Sequence, residues 1–118
     1  CRAGAGAVAE ITASGLPAIL VPYPHATAQH QESNARLLEA RGAAKVILDE
    51  DLNGEVLAQT IVSILSDPDR LETMSRDSGG LGRPDAAGEI ASRLIDLARR
   101  KGRLRKLATV LVDLCSVR

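Results

Sequence analysis

Two glycines at the mouth of a helical pattern are the first place in this 118-residue chain where chemistry could occur. In Gly4-Ala5-Gly6-Ala7-Val8-Ala9-Glu10 they precede apolar residues at helical spacing. Bare backbone N–H groups and the positive end of the helix dipole could hold a phosphate at such a turn. Glu10 follows Gly6 by four residues. Because Cβ atoms tilt toward a helix N-terminus, its carboxylate would point back toward the turn. A carboxylate there can accept from both hydroxyls of a ribose while the amides take the phosphate, which is a nucleoside-diphosphate geometry in compact form. The same residues admit a plainer reading, in which the glycines only make a tight turn and Glu10 is a solvated helix residue.

Gly4, Gly6 and Ala9 also satisfy the dinucleotide pattern G-x-G-x-x-A. That reading needs an acid about 20 residues further on to hold the adenosine ribose. Pro22-Tyr23-Pro24-His25 stands there and contains none, so a dinucleotide-binding Rossmann piece is disfavoured. His25 and His30 could act as acid–base groups or simply as turn residues among prolines. Cys1 and Cys115 lie at opposite ends without metal-ligand spacing, and read as inert thiols of a reducing compartment. No metal site is expected.

Composition narrows the classes further. Apolar residues make up 45% of the chain, yet Tyr23 is the only aromatic, so the core must be built from Leu, Ile, Val and Ala. That scarcity argues against an aromatic stacking platform for single-stranded nucleic acid, and zero formal net charge argues against a broad electrostatic footprint for DNA or RNA. Positive charge is concentrated instead in Arg99, Arg100, Lys101, Arg103, Arg105 and Lys106, ahead of Leu107, Val110, Leu111, Val112 and Leu114. Such a basic amphipathic tail could lie on an anionic membrane surface, each nearby cation contributing about 1 kcal/mol, or could pack its apolar face on another domain. No run approaches the roughly 18 apolar residues of a spanning helix and no signal peptide opens the chain, so a cytoplasmic location is expected. Starting at Cys1, in what reads as the middle of a strand-to-helix turn, the sequence has the look of a fragment.

The elements that must position these residues follow from periodicity. A first helix around Ala7–Ile11 stops at Gly15, and Ala18-Ile19-Leu20-Val21, between two prolines, reads as a strand buried on both faces. Gln31–Ala40 reads as a helix with Ala35, Leu37 and Leu38 inward and Gly42 closing it; Ala43–Leu48 reads as a second strand. Asn53 can cap a helix with Val56, Leu57, Ile61, Ile64 and Leu65 on one inward stripe. Asp67-Pro68 starts another helix, which Gly79-Gly80 and Gly82 are expected to break, and Pro84-Asp85 opens the next. Helices alternating with short apolar strands give an α/β fold, a short parallel sheet with flanking helices and ligands at the carboxyl ends of its strands.

Taken together, Cys1 through Ile11, Gly15 through His25, His30-Gln31 and Asn34-Ala35 closely resemble the MurG-type transferase family, and Gly42-Ala43-Ala44 and Arg83 through Ala87 are similar to it as well. The resemblance implies a partial Rossmann-like C-terminal domain of a GT-B glycosyltransferase, occupying residues 1–100 with the tail at 101–118. It implies inverting transfer of N-acetylglucosamine from UDP-N-acetylglucosamine to the undecaprenyl-linked muramoyl-pentapeptide, the acceptor being held by an N-terminal domain outside this chain. It implies no cofactor and a peripheral place on the cytoplasmic face of the inner membrane. Carried over by position, Glu10 would bind the uridine ribose, and Ala3, Gly4, Ala5, Gly6 and Ala7 would face the diphosphate and sugar. Gln31, with His30 beside it, would hydrogen-bond the sugar hydroxyls, and Asn34 belongs to the same motif. The catalytic base is expected in the other domain, so no residue here is assigned as catalytic. The chain departs from the motif at Ala28-Gln29, where relatives carry acidic residues. The alternative is a chain that retains UDP-sugar and turns nothing over.

Overall fold

The computed structural model describes residues 1–25 and 30–100. The Ala28-Gln29 departure, Cys115 and the basic tail from Lys101 onward lie outside them. The chain divides into two compact units, Cys1–Arg83 and a second that begins at Pro84.

Within the first unit, helix α1 (Ala5–Ala13) ends where Ser14 N–H returns to the Glu10 carbonyl, and Gly15 follows at φ 61°. That left-handed conformation suits glycine and turns the chain into strand β1 (Ala18–Leu20). Helix α2 (His30–Ala40) and Gly42, at φ 78°, lead into strand β2 (Ala44–Val46). The strands pair in parallel, Ala18 opposite Ala44 and Leu20 opposite Val46, as a helical crossover requires. Cys1 lies along the other edge of β1, donating its N–H to Ile19 at 2.9 Å and accepting from Val21 at 2.8 Å. The core is small and aliphatic: Ala3, Leu20, Ala35 and Ala43 are fully shielded, with Leu38, Ala44 and Val46 around them. The expected α/β class with a short parallel sheet is what the chain adopts.

Helices α3 (Gly54–Leu65) and α4 (Pro68–Leu81) start at the expected caps. Asn53 Oδ1 accepts from Val56 N–H at 2.9 Å, and Asp67 Oδ1 accepts from Arg70 N–H at 3.0 Å.

Four expectations about packing are corrected. Leu37 is 55% exposed, because the buried face of α2 follows Ala35 and Leu38 and leaves position 37 on the opposite side. Of the α3 stripe only Ile64 is fully buried, Val56 and Leu57 being half-buried; Ile61 and Leu65 are exposed and, with Leu57 and Ile64, line an open apolar groove of about 460 Å³ against Ile19 and Val21. For the same reason β1 is not buried on both faces, since only Leu20 within it is fully covered. Gly79-Gly80 does not break α4, which continues to Leu81. A Cβ at position 79 would sit 3.6 Å from the Gly15 Cα, an ordinary van der Waals distance, so that contact does not require the glycine. Only Gly82 ends the helix.

In the second unit, helix α5 (Ala86–Arg100) exposes Ile90, Leu94 and Leu97 along one stripe. Among the described residues no helix is long and apolar enough to cross a membrane.

Candidate functional site

Strand direction decides where a ligand can meet this sheet. Both strands run the same way, so their carboxyl ends deliver Val21-Pro22-Tyr23 and Ile47-Leu48-Asp49 to one rim. There Pro22, Tyr23, Pro24, Glu32, Asp49 and Glu50 bound a cavity of about 370 Å³.

The glycine turn, at the partially positive end of the α1 dipole, contrasts with that acidic rim. Gly4 occupies the N-cap of α1 in an extended conformation, φ −65° and ψ 153°, and no side chain among the described residues caps the helix. The amides of Ala5, Gly6 and Ala7 therefore lack an intrahelical acceptor, and the helix dipole makes their end of α1 the favoured place for an anion. The φ of Gly4 is open to any residue, so conformational freedom does not explain a glycine. Nor does crowding: no described atom lies within 4 Å of where a Cβ would stand at Gly4 or Gly6, so the front of the turn is open among the described residues.

Ala3 sits differently from its four neighbours. Its side chain is fully buried in the core, and its carbonyl accepts from Asn34 Nδ2 at 3.2 Å. Gln31 Oε1 accepts from Tyr23 N–H at 3.1 Å, and its Nε2 makes no hydrogen bond among the described residues. The two α2 amides thus hold the turn and the exit of β1 in one frame. His30 is the exposed first residue of α2. Glu10 is exposed in the middle of α1, and its carboxylate has no hydrogen-bond partner among the described residues. His25 stacks edge-on against Tyr23, ring centroids 5.7 Å apart.

Sequence reading did not single out Arg2 and Asp49. Arg2 Nη1 forms an ion pair with Asp49 and donates to the carbonyls of Val21 and Pro22, each at 3.4 Å. Its guanidinium carbon stands 5.5 Å from the centroid of the Tyr23 ring. Arg2 was visible as the neighbour of the glycine turn, but its partner lies 47 residues away, beyond any local spacing.

Comparison with known proteins gives the family and the fold. A family model, the glycosyltransferase family 28 C-terminal domain, matches residues 1–90. Among curated proteins, the UDP-N-acetylglucosamine–N-acetylmuramyl-(pentapeptide) pyrophosphoryl-undecaprenol N-acetylglucosamine transferase of Geobacter metallireducens is 48% identical over 101 residues, covering 86% of this chain and 28% of the relative. The transferase of that name from Anaeromyxobacter sp. strain K is 52% identical over 101 residues, covering 86% and 26%. Among solved structures, Acinetobacter baumannii MurG is similar with a TM-score of 0.69 and 33% identity, covering 85% of this chain and 27% of that one. The chain spans about a quarter of the length of the curated relatives it matches.

Proposed function

We propose, for a chain that belongs to the glycosyltransferase family 28 C-terminal domain family, that it is the donor-binding part of an enzyme transferring N-acetylglucosamine from UDP-N-acetylglucosamine to an undecaprenyl-linked muramoyl-pentapeptide. The acceptor is held by a further domain, and the enzyme works at the cytoplasmic face of the inner membrane. The observation that carries the reading is the start of α1, which no described side chain caps and where no described atom lies within 4 Å of a Cβ at Gly4 or Gly6, so the amides of Ala5, Gly6 and Ala7 face open space among the described residues. A diphosphate placed there is met by fixed donors that need no reorganisation as negative charge builds on the leaving group.

Each assigned residue then has one task. The turn from Ala3 to Ala7 cradles the diphosphate through its backbone, Ala3 contributing only its fixed position. The Glu10 carboxylate accepts from the ribose hydroxyls. Gln31 offers its Nε2 to the sugar, His30 lies beside it, and Asn34 holds the turn in place. Buried or tethered amides suit this recognition because one group carries both donor and acceptor, so hydroxyl geometry is read and not merely tolerated. No side chain in the site is assigned as a base, so the chain alone is expected to bind donor without turning it over.

Isothermal titration with UDP, UDP-N-acetylglucosamine and NAD tests the proposal. UDP and UDP-N-acetylglucosamine should bind and NAD should not, and Glu10→Ala should weaken UDP about tenfold or more, as expected for losing a charged acceptor of two hydroxyls. Preferential binding of NAD would end this reading. Uridine binding untouched by Glu10→Ala would remove the role given to that carboxylate.

A further inference from the structure

We infer that Asp49 is a positioning residue for the diphosphate, acting through Arg2. The inference rests on the proposed donor site and deepens it. Arg2 is two residues ahead of the Gly4 N-cap, and the direction in which the Ala5, Gly6 and Ala7 amides point depends on where this entering segment is held. The segment is anchored at three levels. Cys1 pairs with the edge of β1, the carbonyl of Ala3 is held by Asn34, and between them the Arg2 side chain spans the rim to the exit of β2. Asp49 is the only charged partner of Arg2 among the described residues, and the two carbonyls that share Nη1 belong to the exit of β1. One guanidinium thereby joins the start of α1 to the carboxyl ends of both strands.

The charge arithmetic points the same way. Glu32, Asp49 and Glu50 make the rim acidic, which repels a phosphate, whereas the start of α1 attracts one. Pairing with Arg2 neutralises the acid that stands in the ion pair and keeps the guanidinium on the rim beside Tyr23. Asp49 touches no part of the donor in this arrangement. Its effect reaches the diphosphate through the position of Arg2 and the turn behind it.

The test is a double-mutant cycle on the 118-residue chain, with Arg2→Ala, Asp49→Ala and the double variant titrated with UDP and, separately, with uridine. Asp49→Ala should weaken UDP about threefold to fivefold, the range of a half-exposed ion pair, and leave uridine binding unchanged. The double variant should bind UDP within about twofold of Arg2→Ala alone, because partners in one contact are not additive. Asp49→Glu, which keeps a carboxylate, should recover most of the affinity. Equal losses for UDP and uridine would overturn the inference, since general damage to the fold would produce them. Full additivity of the two substitutions, or tighter UDP binding by Asp49→Ala, would also overturn it. If the unaltered chain binds neither ligand, the donor-site proposal falls and this one with it; if it binds UDP and Asp49→Ala binds equally well, this one alone falls.

Discussion

The side-chain amide of Asn34 donates to the backbone carbonyl of Ala3 at 3.2 Å, joining the second turn of α2 to the residue just ahead of the glycine N-cap. Thirty-one residues separate the two in sequence. Asn34→Ala should destabilise the chain by about 1 kcal/mol, the usual net value of such a bond, and should also weaken UDP. Asn34→Asp should do no better, because a carboxylate cannot donate to a carbonyl. Urea unfolding together with UDP titration checks both effects; an Asn34→Asp variant that behaves like the unaltered chain would show that the bond does not hold the turn.

Two glycines near the end of α4 should respond in opposite directions to the same change. A Cβ at Gly82 would collide with the backbone carbonyl of Thr12 and with Ala13, whereas no described atom lies within 4 Å of a Cβ at Gly80. Backbone cannot move aside as a flexible side chain can. Gly82→Ala is therefore expected to cost about 1–3 kcal/mol through overpacking. Gly80→Ala should stabilise by about 0.5–1 kcal/mol, because alanine loses less backbone freedom in a helix. Thermal melting of the two variants side by side measures the contrast.

The caps of α3 and α4 carry comparable and separable contributions. Asn53→Ala and Asp67→Ala each remove an acceptor for an otherwise orphaned amide, at Val56 and Arg70. Each should cost about 1 kcal/mol, and the glycine replacements only a few tenths. Chemical denaturation of the alanine and glycine pairs at both positions reads these differences.

Glu39 should make stability depend on acid. Partial burial works against its charge, but Val46 N–H at 2.9 Å, together with Arg36 and Lys45, outweighs that and holds the carboxyl below its ordinary value of 4.5. The unfolded chain then binds the proton more readily than the folded one, so the contribution is present above the ordinary value and fades as pH falls through the lowered one. Glu39→Gln should be less stable than the unaltered chain at about pH 7, and the gap should narrow toward about pH 3. Urea midpoints at the two pH values test this, and a constant gap would remove the carboxylate from the account.

Local chemistry made much of this chain readable in advance. Asn53, Asp67-Pro68, Gly15 and Gly42 mark helix ends through interactions that span three or four residues, and each stands where it was expected. The glycine turn and Glu10 were legible as a candidate site for the same reason, since helix geometry ties spacing to face, whereas His30, Gln31 and Asn34 entered only through the family resemblance. Burial was less legible. Leu37, Ile61 and Leu65 are as apolar as Leu38 and Ile64, and only the position of the sheet decides which of them it covers. Gly79-Gly80 looked like a stop because glycine weakens helices on average, but α4 runs on to Leu81 and ends at Gly82, where a Cβ would collide with the backbone of Thr12 and Ala13. The joining of Arg2 to Asp49, and of Asn34 to Ala3, belonged wholly to the tertiary structure. Contacts across tens of residues leave no periodic trace, and they exist only once the two parallel strands bring their carboxyl ends to the same rim.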